Sequence, residues 1–184
     1  MEVLTSGNEQ TVRIPAEASL PVTFVLSLAL AGAMTASPSA AAPAPPTCRE
    51  SGLRITAAPS DRPGTLRIGV TNRSGRACVI DRVPTVVFGD LDGLALPVPD
   101  GGSGPYRVAA GSSAHAAVRT LDPAATELRV VDRLTVAADP AHRGRAFGAA
   151  VMGSADGIRV WEPVTTWWHG SRAAADAALY RYTR

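Results

Sequence analysis

The chain has 184 residues, enough for one domain with appendages. Its 18 basic residues are all Arg and face 16 acidic ones, a net charge of +2. Such a balance, with the Arg dispersed and no basic patch interleaved with aromatics, argues against nucleic-acid binding or any other strongly electrostatic partner.

Leu20 to Ala36 is the longest apolar run, and the small residues Ser37 to Ala42 follow it. That order is the pattern of a secretory signal peptide, with a small-x-small cleavage motif at Ser39-x-Ala41. Residues 1–42 are therefore expected to be an export segment. A single Arg13 stands against Glu2, Glu9 and Glu17 ahead of the run, which fits an n-region poorly and suggests a true start nearer Val12. The alternative is a retained anchor, since about 17 apolar residues is near the minimum for a spanning helix. Only that alternative would place the protein on a membrane. Residues 43–47 (Pro-Ala-Pro-Pro-Thr) read as a stiff leader.

Cys48 opens the next segment and Cys78 lies 30 positions further on. In an exported domain the expected state is one disulfide, Cys48–Cys78, with free or metal-bound thiols as the alternative. From Leu53 onward, short alternating runs are separated by Gly, Pro, Asp and Asn clusters. Leu53–Thr56, Leu66–Thr71, Cys78–Ile80, Thr85–Phe88 and Leu94–Pro97 come first. Tyr106–Val108, Ser113–Thr120, Leu128–Val131, Leu134–Val136 and Ile158–Trp161 follow. This spacing predicts an all-β fold, an Ig-like antiparallel β-sandwich of about 7–8 strands over 48–170. Residues 171–184 complete the chain as a short C-terminal helix and tail, with Ser171 as N-cap of a helix to Tyr180.

The run Leu66-x-Ile68-x-Val70-x-Asn72-x-Ser74-Gly75-x-x-Cys78-x-Ile80-x-x-x-Pro84 resembles the actinobacterial family of exported domains called DUF4232. Further pieces that look like that family are Cys48, Asp92-Gly93, Ala110 to Ala114 and Trp161 to Val164. The departures are Arg82-Val83-Pro84 in place of a Gly-Tyr-Pro element and the lack of a second Cys pair. The resemblance implies an extracytoplasmic Ig-like sandwich and carries no activity.

Other motifs are weak. Asp90-x-Asp92-Gly93 opens like a calcium loop but lacks the later ligands and reads better as a hairpin turn. Ser112 and Ser113 near His115 lack a nucleophile elbow, and Gly101-Gly102-x-Gly104 lacks the strand-to-helix setting of a phosphate loop. No catalytic residue, metal ligand or cofactor is expected. Trp161, Trp167 and Trp168 are the candidate contacts for a ligand or partner. The competing expectation puts Trp161 in the core, with Trp167 and Trp168 holding the helix to the sheet. The expected function is a non-enzymatic binding or structural domain for a protein or cell-envelope component. A carbohydrate or cell-wall module using the Trp residues is the alternative, and a secreted hydrolase is the least favoured reading.

Overall fold

The computed structural model describes residues 43–102 and 104–183; the expected export segment, residues 1–42, lies outside them. A hairpin of β1 (Leu53–Pro59) and β2 (Thr65–Asn72) begins the main sheet, with Leu53 opposite Asn72 and Pro59 opposite Leu66. The alternation in β2 sends Leu66, Ile68 and Val70 to one face, where all three are buried. Next comes β7 (Ser113–Arg119), which directs Ala114, Ala116 and Val118 to the same face. The sheet is completed by β12 (Val164–Thr166) and β5 (Leu96–Val98), in the order β1-β2-β7-β12-β5.

Facing it is a three-stranded sheet of β10 (Arg145–Gly148), β9 (Arg133–Ala137) and β4 (Thr85–Phe88). Val86, Phe88, Leu134, Val136 and Phe147 belong to one buried cluster with Ile55, Leu66, Ile68 and Val70 from the five-stranded sheet. Two short ribbons close the sides of this core: β8 (Arg129–Val131) with β11 (Ile158–Val160), and β3 (Cys78–Ile80) with β6 (Tyr106–Val108). The fold is thus sandwich-like, and among the described residues every strand pair is antiparallel except β5 with β12, which is parallel. Twelve strands appear among the described residues, more than the 7–8 expected, because several are only three residues long and β10 shows no alternation in the sequence.

The disulfide Cys48–Cys78 is formed, with Cα atoms 4.9 Å apart, and both residues lie in the core. Backbone bonds from Cys48 N to Val79 O (2.8 Å) and from Val79 N to Pro46 O (2.9 Å) run the leader alongside β3. Next to the bridge is Asn72, fully buried at the end of β2. Its Nδ2 donates to the carbonyls of Arg76 (2.9 Å), Val108 (3.1 Å) and Ala109 (3.2 Å). Its Oδ1 accepts from Ser74 N (2.9 Å) and Ser74 Oγ (2.6 Å), so the Asn-x-Ser-Gly stretch is a structural corner.

The helix α1 (Arg172–Tyr182) lies on the outer face of the main sheet. Ser171 Oγ accepts from Ala174 N at 3.2 Å, the expected N-cap. Ala175 and Leu179 pack on Ala117 and Val164, and the small side chain of Ala117 lets the helix approach. Arg67 in β2 reaches up to Asp176 through Nε (3.0 Å) and Nη2 (2.9 Å), and these carboxylate bonds raise its pKa further.

Candidate functional site

The ladder between β7 and β12 pairs Val164 with Arg119 and Thr165 with Val118. It resumes where His115 and His169 exchange both backbone bonds, at 2.8 and 2.7 Å. Three residues on the later strand therefore oppose two on β7. This is a β-bulge, filled by Thr166 Oγ1 accepting from Ala117 N at 3.0 Å. Beyond the bulge the adjacent indoles diverge. Trp168 enters the sandwich core with 3% exposure. Trp167 is half-buried: its Nε1 donates to Pro99 O at 3.2 Å, and the Arg82 guanidinium lies 4.7 Å from its ring centroid. Gly102, at φ +88°, lies so close to the ring that any Cβ there would collide with it. The glycine-rich loop thus folds onto Trp167, whose ring is occupied on its N–H edge and by its neighbours.

Trp161 is placed differently from the core position considered above. Ile158 and Val160 of β11 point inward, so the next residue leaves the core, and Trp161 is half-buried. Its backbone is held on both sides, N to Thr120 O (2.9 Å) and O from Asp122 N (3.1 Å). The following Glu162 has φ +46° and is the sole non-glycine with positive φ among the described residues. Left-handed backbone at a residue with Cβ costs on the order of 1–3 kcal/mol and concentrates at functional positions. Trp161, Glu162 and Pro163 form one wall of a cleft of about 210 Å³. Asp92 and Leu94, from the turn after β4, and Arg129 of β8 line it opposite, with Phe88 and Leu91 adding apolar surface.

The side chains of Asp92, Arg129 and Glu162 have no hydrogen-bond or ion-pair partner among the described residues. Several charged side chains elsewhere do pair. Asp90 accepts from Arg133 at 2.6 Å, Asp122 from Arg119 at 2.6 Å, and Glu50 takes the amides of Arg143 and Gly144. The Asp90-x-Asp92-Gly93 stretch therefore splits its carboxylates between an ion pair and the cleft. Among the described residues no group of three or more His, Cys, Asp or Glu side chains could hold a metal ion. Ser113 Oγ is bonded to Thr71 Oγ1 at 2.7 Å.

The structure thus brings only Trp161 of the three candidate indoles to an open cleft. Asp92, Leu94, Arg129 and Glu162 were not singled out from sequence. The available signal was an acidic residue directly before Pro163 and an Asp-Gly turn, both common in ordinary loops.

His115 and His169 share the outer sheet face, and both have lowered pKa values. Burial is the main cause for each, with Arg172 adding to it at His115 and Arg82 at His169. The unfolded chain titrates these groups near pH 6.5. The native state binds fewer protons below that point, so stability is full above about pH 6.5 and falls as pH drops toward the folded values. Thermal melts at pH 7.5 and 5.5 should show this loss, and His115→Gln with His169→Gln should flatten it. An equally steep dependence in the double variant would contradict the assignment.

No helix among the described residues is long and apolar enough to cross a membrane. No curated protein and no solved structure matches the chain. The family model described as a domain of unknown function, DUF4232, matches residues 48–168, a stretch that holds the disulfide, the Asn72 corner and every residue of the Trp161 cleft. The chain belongs to the DUF4232 family.

Proposed function

We propose that this chain is a non-enzymatic extracytoplasmic domain that binds a protein or cell-envelope component through the Trp161 cleft. The observation that supports it most is the conjunction at that cleft: a half-exposed indole on a doubly anchored backbone, beside three charged groups without partners. The indole supplies a flat apolar surface, and Asp92, Glu162 and Arg129 supply directional hydrogen bonds around it. At about 210 Å³ the cleft takes one ring or one side chain of a larger ligand. The buried disulfide supports an oxidising location, and the expected export segment agrees with it.

The carbohydrate reading gains from the same lining. A sugar ring offers an apolar C–H face to Trp161 and paired hydroxyls to the carboxylates and the guanidinium. Solubilised envelope polysaccharide and peptidoglycan fragments, titrated with intrinsic Trp fluorescence as readout, test both readings. Trp161→Ala should weaken any binding about tenfold or more, as expected for a central aromatic contact. Its melting temperature should change little, since the ring is only half-buried. Binding unaffected by Trp161→Ala would contradict the proposal.

A further inference from the structure

A second, larger groove lies where three connections meet: the turn between β1 and β2, the stretch after β7, and the loop leading into β11. Its volume is about 580 Å³, within the roughly 300–1,000 Å³ of small-molecule sites. Leu66, Met152 and Ile158 lie at its base almost fully buried, so the apolar surface open to an occupant is that of Pro59, Pro63, Pro123 and the half-buried Leu121 after β7. Pro59, Pro63 and Pro123 stand in its walls, and their fixed φ keeps those walls stiff. Gly157 (φ +106°) makes the turn into β11 so tightly that a Cβ would strike Val130, which fixes the third wall. Arg62 and Arg159 sit exposed at the rim, and no acidic side chain lines the groove among the described residues.

The backbone narrows the kind of occupant. The three prolines offer no amide. The amides of Ser60, Thr65, Thr120, Gly153, Ser154 and Gly157 all donate to carbonyls of the same loops, and that of Arg62 to Ser60 Oγ. An extended peptide needs main-chain partners, and these walls have few left. An alkyl chain needs none. The cation at the rim then selects the end group, because a guanidinium fork matches a carboxylate.

The geometry points to this groove as a binding site for a free medium-chain fatty carboxylate, its chain against Pro59, Pro63, Leu121 and Pro123 and its carboxylate at Arg159, with Arg62 adding to the positive rim. The Arg62 guanidinium lies 4.7 Å from the ring centroid of Tyr180, which is outside the groove, so Arg159 is the cation closer to this site. Arg159 is the residue to test, because it projects from β11 between the inward Ile158 and Val160 and has no partner among the described residues.

The probe is dodecanoate below its micelle concentration, titrated calorimetrically into the full chain and compared with dodecyltrimethylammonium. The apolar run 20–36 is common to every variant, so differences between variants belong to the groove. Saturable binding of dodecanoate, weakened about tenfold or more by Arg159→Glu and also by Leu121→Asp, is the expected result. Arg159→Glu changes an exposed strand position and keeps the fold, so it decides the matter even if Leu121→Asp unfolds. Three results would overturn the assignment: no saturable binding, equal binding of the cationic amphiphile, or binding indifferent to Arg159→Glu. Co-sedimentation with phosphatidylglycerol vesicles in the absence of dodecanoate binding would overturn it in favour of a membrane surface.

Discussion

Replacing Cys48 or Cys78 by Ser is expected to lower the free energy of unfolding by about 3.5–4 kcal/mol. The separation of 30 residues sets this value through the loop entropy that the cross-link removes from the unfolded chain. Domains of this kind are held by about 5–15 kcal/mol in total, so the loss is a large fraction. Native-state effects act in the same direction. Cys48 O accepts from His142 Nε2 at 3.1 Å, and neighbouring Glu50 holds the amides of Arg143 and Gly144. Releasing Cys48 therefore also loosens the loop that leads into β10. Guanidinium denaturation of Cys48→Ser, Cys78→Ser and the reduced wild type should give similar, strongly lowered midpoints. An unchanged midpoint on reduction would contradict a structural role for the bridge.

Asn72→Ala is expected to cost about 3 kcal/mol, because it removes every hydrogen bond of a fully buried side chain, the one to the buried Val108 carbonyl among them. Three carbonyls lose the Nδ2 donor, and Ser74 N loses the Oδ1 that accepts its hydrogen bond. Asn72→Asp should be at least as damaging. Its two oxygens would face three carbonyl acceptors in a fully buried position, where an unpaired charge is costly. Urea denaturation of both variants checks the ordering. A variant Asn72→Asp as stable as wild type would mean that the corner is solvated.

The legible parts of this fold were those with a local cause. Leu66, Ile68 and Val70 alternate within one strand, and Ser171 precedes three Ala, so β2 and the capped helix follow from period and cap chemistry. The strand around Phe147 has one inward apolar residue and no alternation, and its partner β9 is needed to define it. The parallel pairing of β5 with β12 joins segments some 68 residues apart, and nothing local specifies it.

The indoles show the same limit most clearly. One extra residue opposite β7, with Thr166 filling the gap, sends Trp168 inward and leaves Trp167 against Pro99 and Gly102. Trp161 opens outward because Ile158 and Val160 take the inward positions and Glu162 turns left-handed. A residue before proline ordinarily favours extended backbone, so that turn had no sequence signal. The cleft is assembled from the β4 turn, β8 and the end of β11, and its charged residues are unremarkable until these elements meet.

The most direct test of the binding assignment is the indole N–H region of a ¹H–¹⁵N spectrum recorded while solubilised envelope polysaccharide is added. The three Trp give three indole signals, with Trp167 identified by its bond to Pro99 and Trp161 by its loss in Trp161→Ala. The Trp161 signal is expected to shift and saturate, while the buried Trp168 and the engaged Trp167 stay in place. A titration that leaves Trp161 unmoved, or that shifts Trp167 instead, would contradict the assignment.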